Sequence, residues 1–245
     1  MPGPDEPAAG EALGRPGGCG QSYADLVARV EACLLDAFGT ILTCDFTAHT
    51  RELPVLAGIP ADAMYQEFAR IAPALTDGRL SMAAGYGRIL RTCGAEPRPE
   101  LVRALADRGM ELLLASGRLF GDVLPFMAGL RARGIKVAIV SNCDEQGRGL
   151  LDWLGVTPLA DALVLSCEAG AAKPSARISS GHCRPWGVSA GAALFVDDNP
   201  GFCAAAAALG IRAAQIVRGE PGAEVRSDGM PMVRSLADVE AMLPA

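Results

Sequence analysis

The sequence predicts an α/β fold in which helices cover both faces of a parallel sheet. Short and nearly continuous apolar runs recur along the chain, at residues 32–35, 137–140, 162–165, 193–196 and 213–217. Such runs are typical of strands that are buried on both faces. Helix-like stretches, including residues 119–133 and 201–209, separate the later runs. Strands that alternate with helices in this way predict a doubly wound, Rossmann-like sheet.

A helical insertion is predicted between the first strand and the second. About a hundred residues separate these two runs, which is too many for a single crossover helix. Apolar residues at helical spacing mark two helices in this interval: Met64, Phe68, Ile71 and Leu75, then Leu101, Val102, Leu105 and Met110. Pro73 is expected to end or kink the first helix, and the second is entered through Pro99. Residues 46–117 are therefore predicted to form a small helical domain over the sheet.

The rest of the chain is predicted to form the core domain and a tail. The core comprises residues 22–45 and 118–245, and residues 1–21, which are rich in Pro, Gly and Ala, form a flexible tail. This tail lacks the basic start and the apolar stretch of a secretion signal. Because the eight cysteines also include no C-x-x-C pair, we expect reduced thiols and a cytoplasmic location.

Composition limits the partners and cofactors. The net charge is −6 and no dense basic cluster occurs, so nucleic acid is not an expected partner. No uninterrupted apolar run reaches the length of about 18 residues that a membrane span needs. The two histidines, His49 and His182, nearly exclude a histidine-rich zinc site, whereas a metal with oxygen ligands remains compatible. A small molecule is the expected partner.

One segment lacks the crossover helix expected before the strand at residue 193. Residues 178–187 show no helical periodicity and contain Pro185. The codons of Gly-His-Cys-Arg-Pro-Trp at residues 181–186, read one base earlier, can encode Arg-Ala-Leu-Pro-Ala-Leu, which is more helix-like. We therefore hypothesise a compensated frameshift across residues 179–186, which resequencing of the gene would test.

Polar residues follow three of the predicted strands. Asp36 ends the first apolar run, Ser141 and Asn142 follow the second, and Asp197 and Asp198 follow the fourth. The carboxyl ends of parallel strands form one edge of a sheet, and open α/β sheets bind their ligands there. A carboxylate that ends a buried strand is also costly unless a cation or substrate offsets its burial. The sequence therefore predicts a functional site at this edge.

Four elements in chain order carry a resemblance to a known family: Asp36 with Thr40, then Ser141-Asn142, then Lys173, and then Asp197-Asp198. Their order and spacing resemble the four motifs of the haloacid dehalogenase superfamily over residues 30–218. The insertion is placed like the helical C1-type cap of that family. The resemblance implies the family's Rossmann-like core and a hydrolase activity.

The resemblance also implies roles for these residues. Asp36 resembles the family nucleophile, which forms a covalent intermediate. The hydroxyls of Thr40 and Ser141 and the side-chain amide of Asn142 would hold substrate oxygens. Lys173 would neutralise the crowded carboxylates and keep Asp36 ionised.

A magnesium site is a further implication of the resemblance. In the family's phosphatases the last acidic motif holds Mg²⁺ together with the nucleophile, and oxygen ligands suit this ion. The implied ligands are Asp36, Asp197, Asp198 and the backbone carbonyl of Phe38, and Asp198 is the favoured ligand of the adjacent pair. Phe202 departs from the motif, because a further acid or amide often stands at this position.

Phe38 is the main departure from the phosphatase pattern. Family phosphatases carry a second Asp here, which protonates the leaving oxygen and later activates water, and a phenyl ring can do neither. An aromatic residue at this position resembles the 2-haloacid dehalogenase branch, which works without Mg²⁺ and generally lacks the final acidic pair. That branch holds the substrate carboxylate with a cap arginine, for which Arg51, Arg70 and Arg88 are candidates here.

Three functions remain open at this point. The favoured one is a Mg²⁺-dependent phosphatase of small phosphate esters, because the acidic pair is retained. The alternatives are a metal-independent 2-haloacid dehalogenase and a catalytically weak member that binds a ligand. In each case the cap is expected to set the choice of substrate, and the candidate lining residues are Met64, Tyr65, Phe68 and Tyr86.

Overall fold

The computed structural model describes residues 29–180, 186–219 and 229–243, without the side chains of residues 179 and 180. The predicted tail at residues 1–21 lies outside the described residues, and so does most of the anomalous segment at residues 179–186. A short helix, Ala176–Ser180, includes the first two residues of that segment, and the side chain of Trp186, its last residue, packs against the core.

A parallel sheet forms the centre of the protein. In chain order the strands are β1 Ala32–Leu35, β2 Leu42–Thr43, β3 Arg118–Leu119, β4 Lys136–Ser141, β5 Ala162–Leu165, β6 Ala193–Asp197, β7 Arg212–Ile216 and β8 Met232–Val233. Within the described residues, six of them form one sheet in the order β5-β4-β1-β6-β7-β8, and every pairing is parallel. Strands β2 and β3 form a separate antiparallel pair. The predicted α/β fold is confirmed, and each predicted apolar run overlaps a strand of the large sheet.

The helices lie between the strands in sequence. In chain order they are α1 Thr47–Ala57, α2 Ala61–Thr76, α3 Met82–Thr92, α4 Pro99–Ser116, α5 Val123–Ala132, α6 Gln146–Trp153, α7 Ser166–Ala169, α8 Ala176–Ser180, α9 Pro200–Ala208 and α10 Leu236–Met242. Among the described residues, each helix is too short or too polar to cross a lipid bilayer. The helix predicted over residues 119–133 begins only at Val123, because Leu119 is extended and pairs with Leu42 of β2.

Alternate residues of the central strands face opposite sides of the sheet. In β1, Cys33 and Leu35 belong to one apolar cluster, which also contains buried residues of α5, α6 and α10. Ala32 and Leu34 belong to a second cluster, on the side that α8 and α9 cover. A strand whose side chains are buried on both faces needs apolar residues at every position. This explains why the sequence shows continuous apolar runs.

Helices α1 to α4 occupy the interval of the predicted insertion and share an apolar core of their own. Met64, Ile71 and Leu75 of α2 are buried in this core, at the predicted helical spacing. Helix α4 begins at Pro99, as expected. The expected end of α2 at Pro73 is wrong, because the helix continues to Thr76. A proline in the last turn removes one backbone hydrogen bond, and a helix with a buried face can tolerate that loss.

Candidate active site

Three carboxylates meet at the carboxyl edge of the sheet. Asp36 follows β1, and Asp197 ends the neighbouring strand β6. Asp36, Asp197 and Asp198 each offer an oxygen that lies within 4.8 Å of the others. Asp36 and Asp197 are buried, whereas Asp198 is exposed. The structure thus brings together the acidic residues that the strand-end argument predicted to be neighbours.

The ammonium group of Lys173 lies between two of these carboxylates. Its Nζ donates hydrogen bonds to Asp36 Oδ1 and, over 2.7 Å, to Asp197 Oδ2, and the Lys173 side chain is 1% exposed. Burial lowers the pKa of Lys173, but the two carboxylates outweigh this effect and the net shift is upward. Three ionised carboxylates around one ammonium group leave two negative charges uncompensated. This excess fits a divalent cation.

The environment of Asp36 disfavours its charge when no cation is bound. Burial raises the pKa of Asp36 to about 7, Lys173 opposes this rise and Asp197 adds to it. The pKa of Asp198 is raised as well, by the partial burial of its carboxyl group in an otherwise exposed residue and by the negative charge of Asp197. A metal cation at the cluster would favour the ionised carboxylates. The donor set therefore suits Mg²⁺, a hard cation that binds carboxylate oxygens.

Gly39 allows the turn after Asp36 to approach Asp198 closely. Its φ is 80°, a left-handed conformation that favours glycine, and its amide donates to the Leu42 carbonyl over 2.8 Å. A β-carbon at this position would overlap the carboxylate of Asp198. The glycine thus serves both the backbone conformation and the contact between the two acidic motifs.

Asn142 holds the backbone of the Lys173 loop, a contact that the sequence did not predict. Its Oδ1 accepts a hydrogen bond from the backbone amide of Lys173 over 2.7 Å, and its Nδ2 donates to the backbone carbonyl of Lys173 over 3.1 Å. Both ends of the side-chain amide therefore bind the protein backbone, and the second N–H of Nδ2 stays available at the lining of the cavity described below. Asn142 positions the Lys173 loop, and sequence spacing could not reveal this pairing across 31 residues.

The hydroxyls of Thr40 and Ser141 are buried at the same sheet edge. Within the described residues, neither hydroxyl oxygen makes a hydrogen bond of ordinary geometry, although the Cys143 thiol lies near Ser141. A buried polar group without a partner costs about 1–3 kcal/mol. Such groups are suited to bind the oxygens of an anionic ligand, which is the role that the resemblance implies for them.

Phe202 faces the lysine of the site. Its ring centroid lies 5.2 Å from Lys173 Nζ, and that of Phe195 lies 5.8 Å away. An ammonium group over an aromatic face is stabilised by the ring quadrupole. The departure from the family motif at Phe202 thus places an aromatic ring, in place of an acid or amide, beside the buried cation.

Sequence reasoning missed Arg218, which holds the turn that follows Asp36. Its Nε and Nη2 donate to the Thr40 carbonyl over 3.1 and 2.8 Å, and its Nη1 donates to Asp122 Oδ2 over 2.7 Å. The guanidinium also lies over the Phe120 ring, with Cζ 4.2 Å from the centroid. Asp122 in turn accepts a hydrogen bond from the amide of Leu236 in α10. The feature of the sequence that could have identified Arg218 is its position directly after the last apolar run, residues 213–217.

A cavity of about 660 Å³ opens between the insertion and the sheet edge. Its lining includes Phe38 and Asn142 from the core and Tyr65, Phe68 and Tyr86 from the insertion. Three of the four predicted lining residues are therefore correct. Met64 is not, because it is fully buried in the core of the insertion.

The three candidate arginines of the insertion lie away from this cavity. Arg51, Arg70 and Arg88 are all exposed, and Arg51 and Arg70 form ion pairs with the neighbouring Glu52 and Glu67. None of the residues that line the cavity in the described part of the chain is a lysine or an arginine. The structure therefore contains no arginine placed to hold a substrate carboxylate in this cavity among the described residues.

Comparisons with known proteins agree with this fold. Residues 30–210 match the family model of the haloacid dehalogenase-like hydrolases, and the chain belongs to this family. The phosphatase MT3486 of Mycobacterium tuberculosis (strain CDC 1551 / Oshkosh) is 26% identical over 87% of this chain and 97% of its own length.

Two solved structures of different activity share the fold. An HAD phosphatase from Thermococcus onnurineus has a TM-score of 0.63 at 22% identity, over 87% of this chain and 97% of its own. An L-2-haloacid dehalogenase from Xanthobacter autotrophicus has a TM-score of 0.60 at 18% identity, over 87% and 98%. Structural likeness at these identities establishes the fold and does not separate the two activities.

Replacement of Gly39 by alanine should weaken metal binding. The β-carbon would displace Asp198, and a left-handed alanine also costs about 1–2 kcal/mol of stability. Gly58→Ala is the matched control, because Gly58 has φ 67° and a β-carbon there meets nothing within 4 Å. Titration calorimetry should show a weaker Mg²⁺ affinity for Gly39→Ala and the parent affinity for Gly58→Ala. Equal affinities in the two variants would contradict the role assigned to the close approach.

Replacement of Arg218 by lysine should destabilise the protein by about 1.5–3 kcal/mol, because a lysine cannot replace the paired hydrogen bonds to the Thr40 carbonyl. Arg148→Lys is the control, since its ion pair with Glu168 is about half exposed and worth about 1 kcal/mol at most. Urea unfolding monitored by circular dichroism measures both. A similarly small loss of unfolding free energy in both variants would show that the Arg218 contacts add little to stability.

Proposed function

We propose that the protein is a Mg²⁺-dependent phosphatase of small phosphate monoesters. The observation that carries this proposal is the cluster of Asp36, Asp197 and Asp198, whose negative charge a single lysine leaves only partly compensated. A halide-releasing enzyme has no need of such an excess, because its leaving group needs neither a metal nor a proton. The family membership and the phosphatase name of the Mycobacterium tuberculosis relative support the same choice.

Asp36 and Asp198 are the carboxylates best able to hold Mg²⁺, together with the carbonyl of Phe38. Asp197 is more fully used by the protein, because its Oδ2 accepts from Lys173 and its Oδ1 accepts from the Asn199 amide over 2.8 Å. We therefore assign Asp197 mainly to the positioning of Lys173. When bound, the ion would supply positive charge next to the phosphoryl oxygens.

The remaining residues of the site have complementary roles in this proposal. Asp36 attacks phosphorus and forms an aspartyl phosphate, while Lys173 balances the charge of Asp36 and of the phosphoryl group. The unpartnered hydroxyls of Thr40 and Ser141 bind phosphoryl oxygens. The substrate is a small molecule, because a cavity of about 660 Å³ has the size of ordinary small-ligand sites.

The dehalogenase alternative rests on Phe38 alone. Its other requirement, an arginine for the substrate carboxylate, finds no support, since the three candidate arginines are exposed. A site without activity is the remaining alternative, and the buried ammonium between two carboxylates argues against it. Such an arrangement is costly to maintain unless the site uses its charges.

Chelation and replacement of the nucleophile test the proposal together. Phosphate release from p-nitrophenyl phosphate should require Mg²⁺, cease in excess EDTA and fall at least about 10³-fold in Asp36→Asn. Asp107→Asn removes one negative charge at an exposed position of α4, as Asp36→Asn does at the site, and should keep the parent activity. Halide release from 2-chloropropionate is assayed in parallel. Phosphatase activity that survives the chelator, or halide release without phosphatase activity, would overturn the proposal.

Introduction of an acid at position 38 should raise the turnover of esters with poor leaving groups. A general acid contributes about 10²–10⁴-fold when it is well placed, and we expect Phe38→Asp to raise kcat for an alkyl phosphate at least about tenfold. Phe38→Asn is the matched control, because its amide has the same shape and cannot act as an acid. If both variants gain equally, or neither gains while both stay folded, then position 38 does not limit protonation.

A further inference from the structure

The cavity above the site has almost no charge. No lysine or arginine lines it in the described part of the chain, and Asp144 is the acidic residue of its lining. Asp144 Oδ1 accepts from the Gln146 amide over 2.8 Å, and burial, with a contribution from Glu145, raises its pKa. Burial also lowers the pKa of His49, which favours a neutral ring. A leaving group with its own negative charge would find no cation here and would face Asp144.

The walls of the cavity are aromatic. Tyr65 and Phe68 stack with centroids 6.2 Å apart, and Phe68 meets Tyr86 edge to face at 5.5 Å. Phe38 lines the core side of the same cavity. Such surfaces favour apolar and aromatic ligands. Two polar atoms of the lining, the Tyr65 hydroxyl and His49 Nδ1, are buried without a hydrogen-bond partner among the described residues, so they can bind a neutral polar atom.

Phe38 adds a chemical condition on the leaving group. Phe38 lies within the turn that follows Asp36 and its phenyl ring lines the cavity, so the leaving oxygen receives no proton from this position. An alkoxide is a poor leaving group without an acid, whereas a phenolate carries its charge in a delocalised form and departs unprotonated. The leaving group must therefore meet two independent conditions. It must carry no negative charge of its own, because the cavity lining offers no cation, and it must depart without a proton, because Phe38 supplies none.

Resting on the phosphatase function above, we propose that the substrates are monophosphates of uncharged, apolar groups that leave readily as anions, with aryl phosphates as the simplest class. Asp144 is the residue that disfavours anionic leaving groups. Phosphate esters whose other end carries a carboxylate or a second phosphate are poor substrates of this site.

The reaction is balanced without an acid. An Asp36 oxygen forms a bond to phosphorus, the bond from phosphorus to the leaving oxygen breaks, and its electron pair departs on the phenolate. Water then attacks the phosphorus of the aspartyl phosphate, and the bond to Asp36 breaks. The products are the free carboxylate, hydrogen phosphate and one proton, which solvent takes up.

A series of para-substituted phenyl phosphates tests the leaving-group condition with the Mg²⁺-loaded enzyme. We expect kcat/KM to fall at least about tenfold for each rise of two units in the pKa of the leaving phenol, and Phe38→Asp to flatten this dependence. A flat dependence in the parent protein would overturn the proposal, because it would reveal another acid at the leaving oxygen.

A matched pair of esters tests the charge condition. We expect at least about a tenfold preference in kcat/KM for 4-carbamoylphenyl phosphate over 4-carboxyphenyl phosphate, which has a similar shape and one more negative charge. Asp144→Asn should reduce this preference at least about threefold by improving the carboxylate ester, whereas Asp107→Asn should leave it unchanged.

Three further outcomes separate this proposal from the phosphatase function. Equal or better turnover of the carboxylate ester, or loss of all turnover in Asp144→Asn, overturns the substrate class while phosphatase activity stands. An absence of turnover for every aryl and alkyl phosphate in the presence of Mg²⁺ overturns the phosphatase function itself, and the substrate class with it.

Discussion

The buried ammonium group of Lys173 is the contact on which the rest of the site depends. It donates to Asp36 and Asp197, which end adjacent strands, and its side chain is 1% exposed. Removal of one partner from a buried ion pair leaves an uncompensated charge, which costs about 3–5 kcal/mol. Conversely, without Lys173 the two carboxylates would repel each other at the centre of the sheet edge. Lys173 therefore allows acidic residues at the carboxyl ends of both β1 and β6.

Several elements of the fold hold this ion-pair cluster in place. Asn142, at the end of β4, binds both backbone groups of Lys173, so the lysine loop has a defined position. Arg218 performs a similar task for the turn after Asp36, through the Thr40 carbonyl. Both contacts connect distant parts of the chain to the sheet edge. A carboxylate that is fixed by such contacts needs little reorganisation when a ligand binds.

The two features that point to different branches of the family have different surroundings near Asp36. Asp198 contacts the Gly39 turn and belongs to the acidic cluster, whereas the Phe38 ring lines the apolar cavity. The structure thus separates a charged half, suited to a metal and a phosphoryl group, from a neutral half, suited to an apolar leaving group. In this arrangement a phenyl ring at position 38 is compatible with phosphatase chemistry, provided that the leaving group needs no proton.

The sequence by itself determined the central strands of the sheet, the helical character of residues 46–117 and the acidic residues at the strand ends. Strands buried on both faces must be apolar throughout, so the polar residues at their ends, Asp36, Ser141 and Asp197, can be recognised in the sequence. Only the tertiary structure decided the partner of Asn142, the role of Arg218 and the exposure of the candidate arginines. These depend on which loops pack together across long sequence separations, and on which side of a helix faces the cavity. The pattern of apolar residues shows which positions of a strand or helix are buried. It does not show which side chain from a distant part of the chain packs against them.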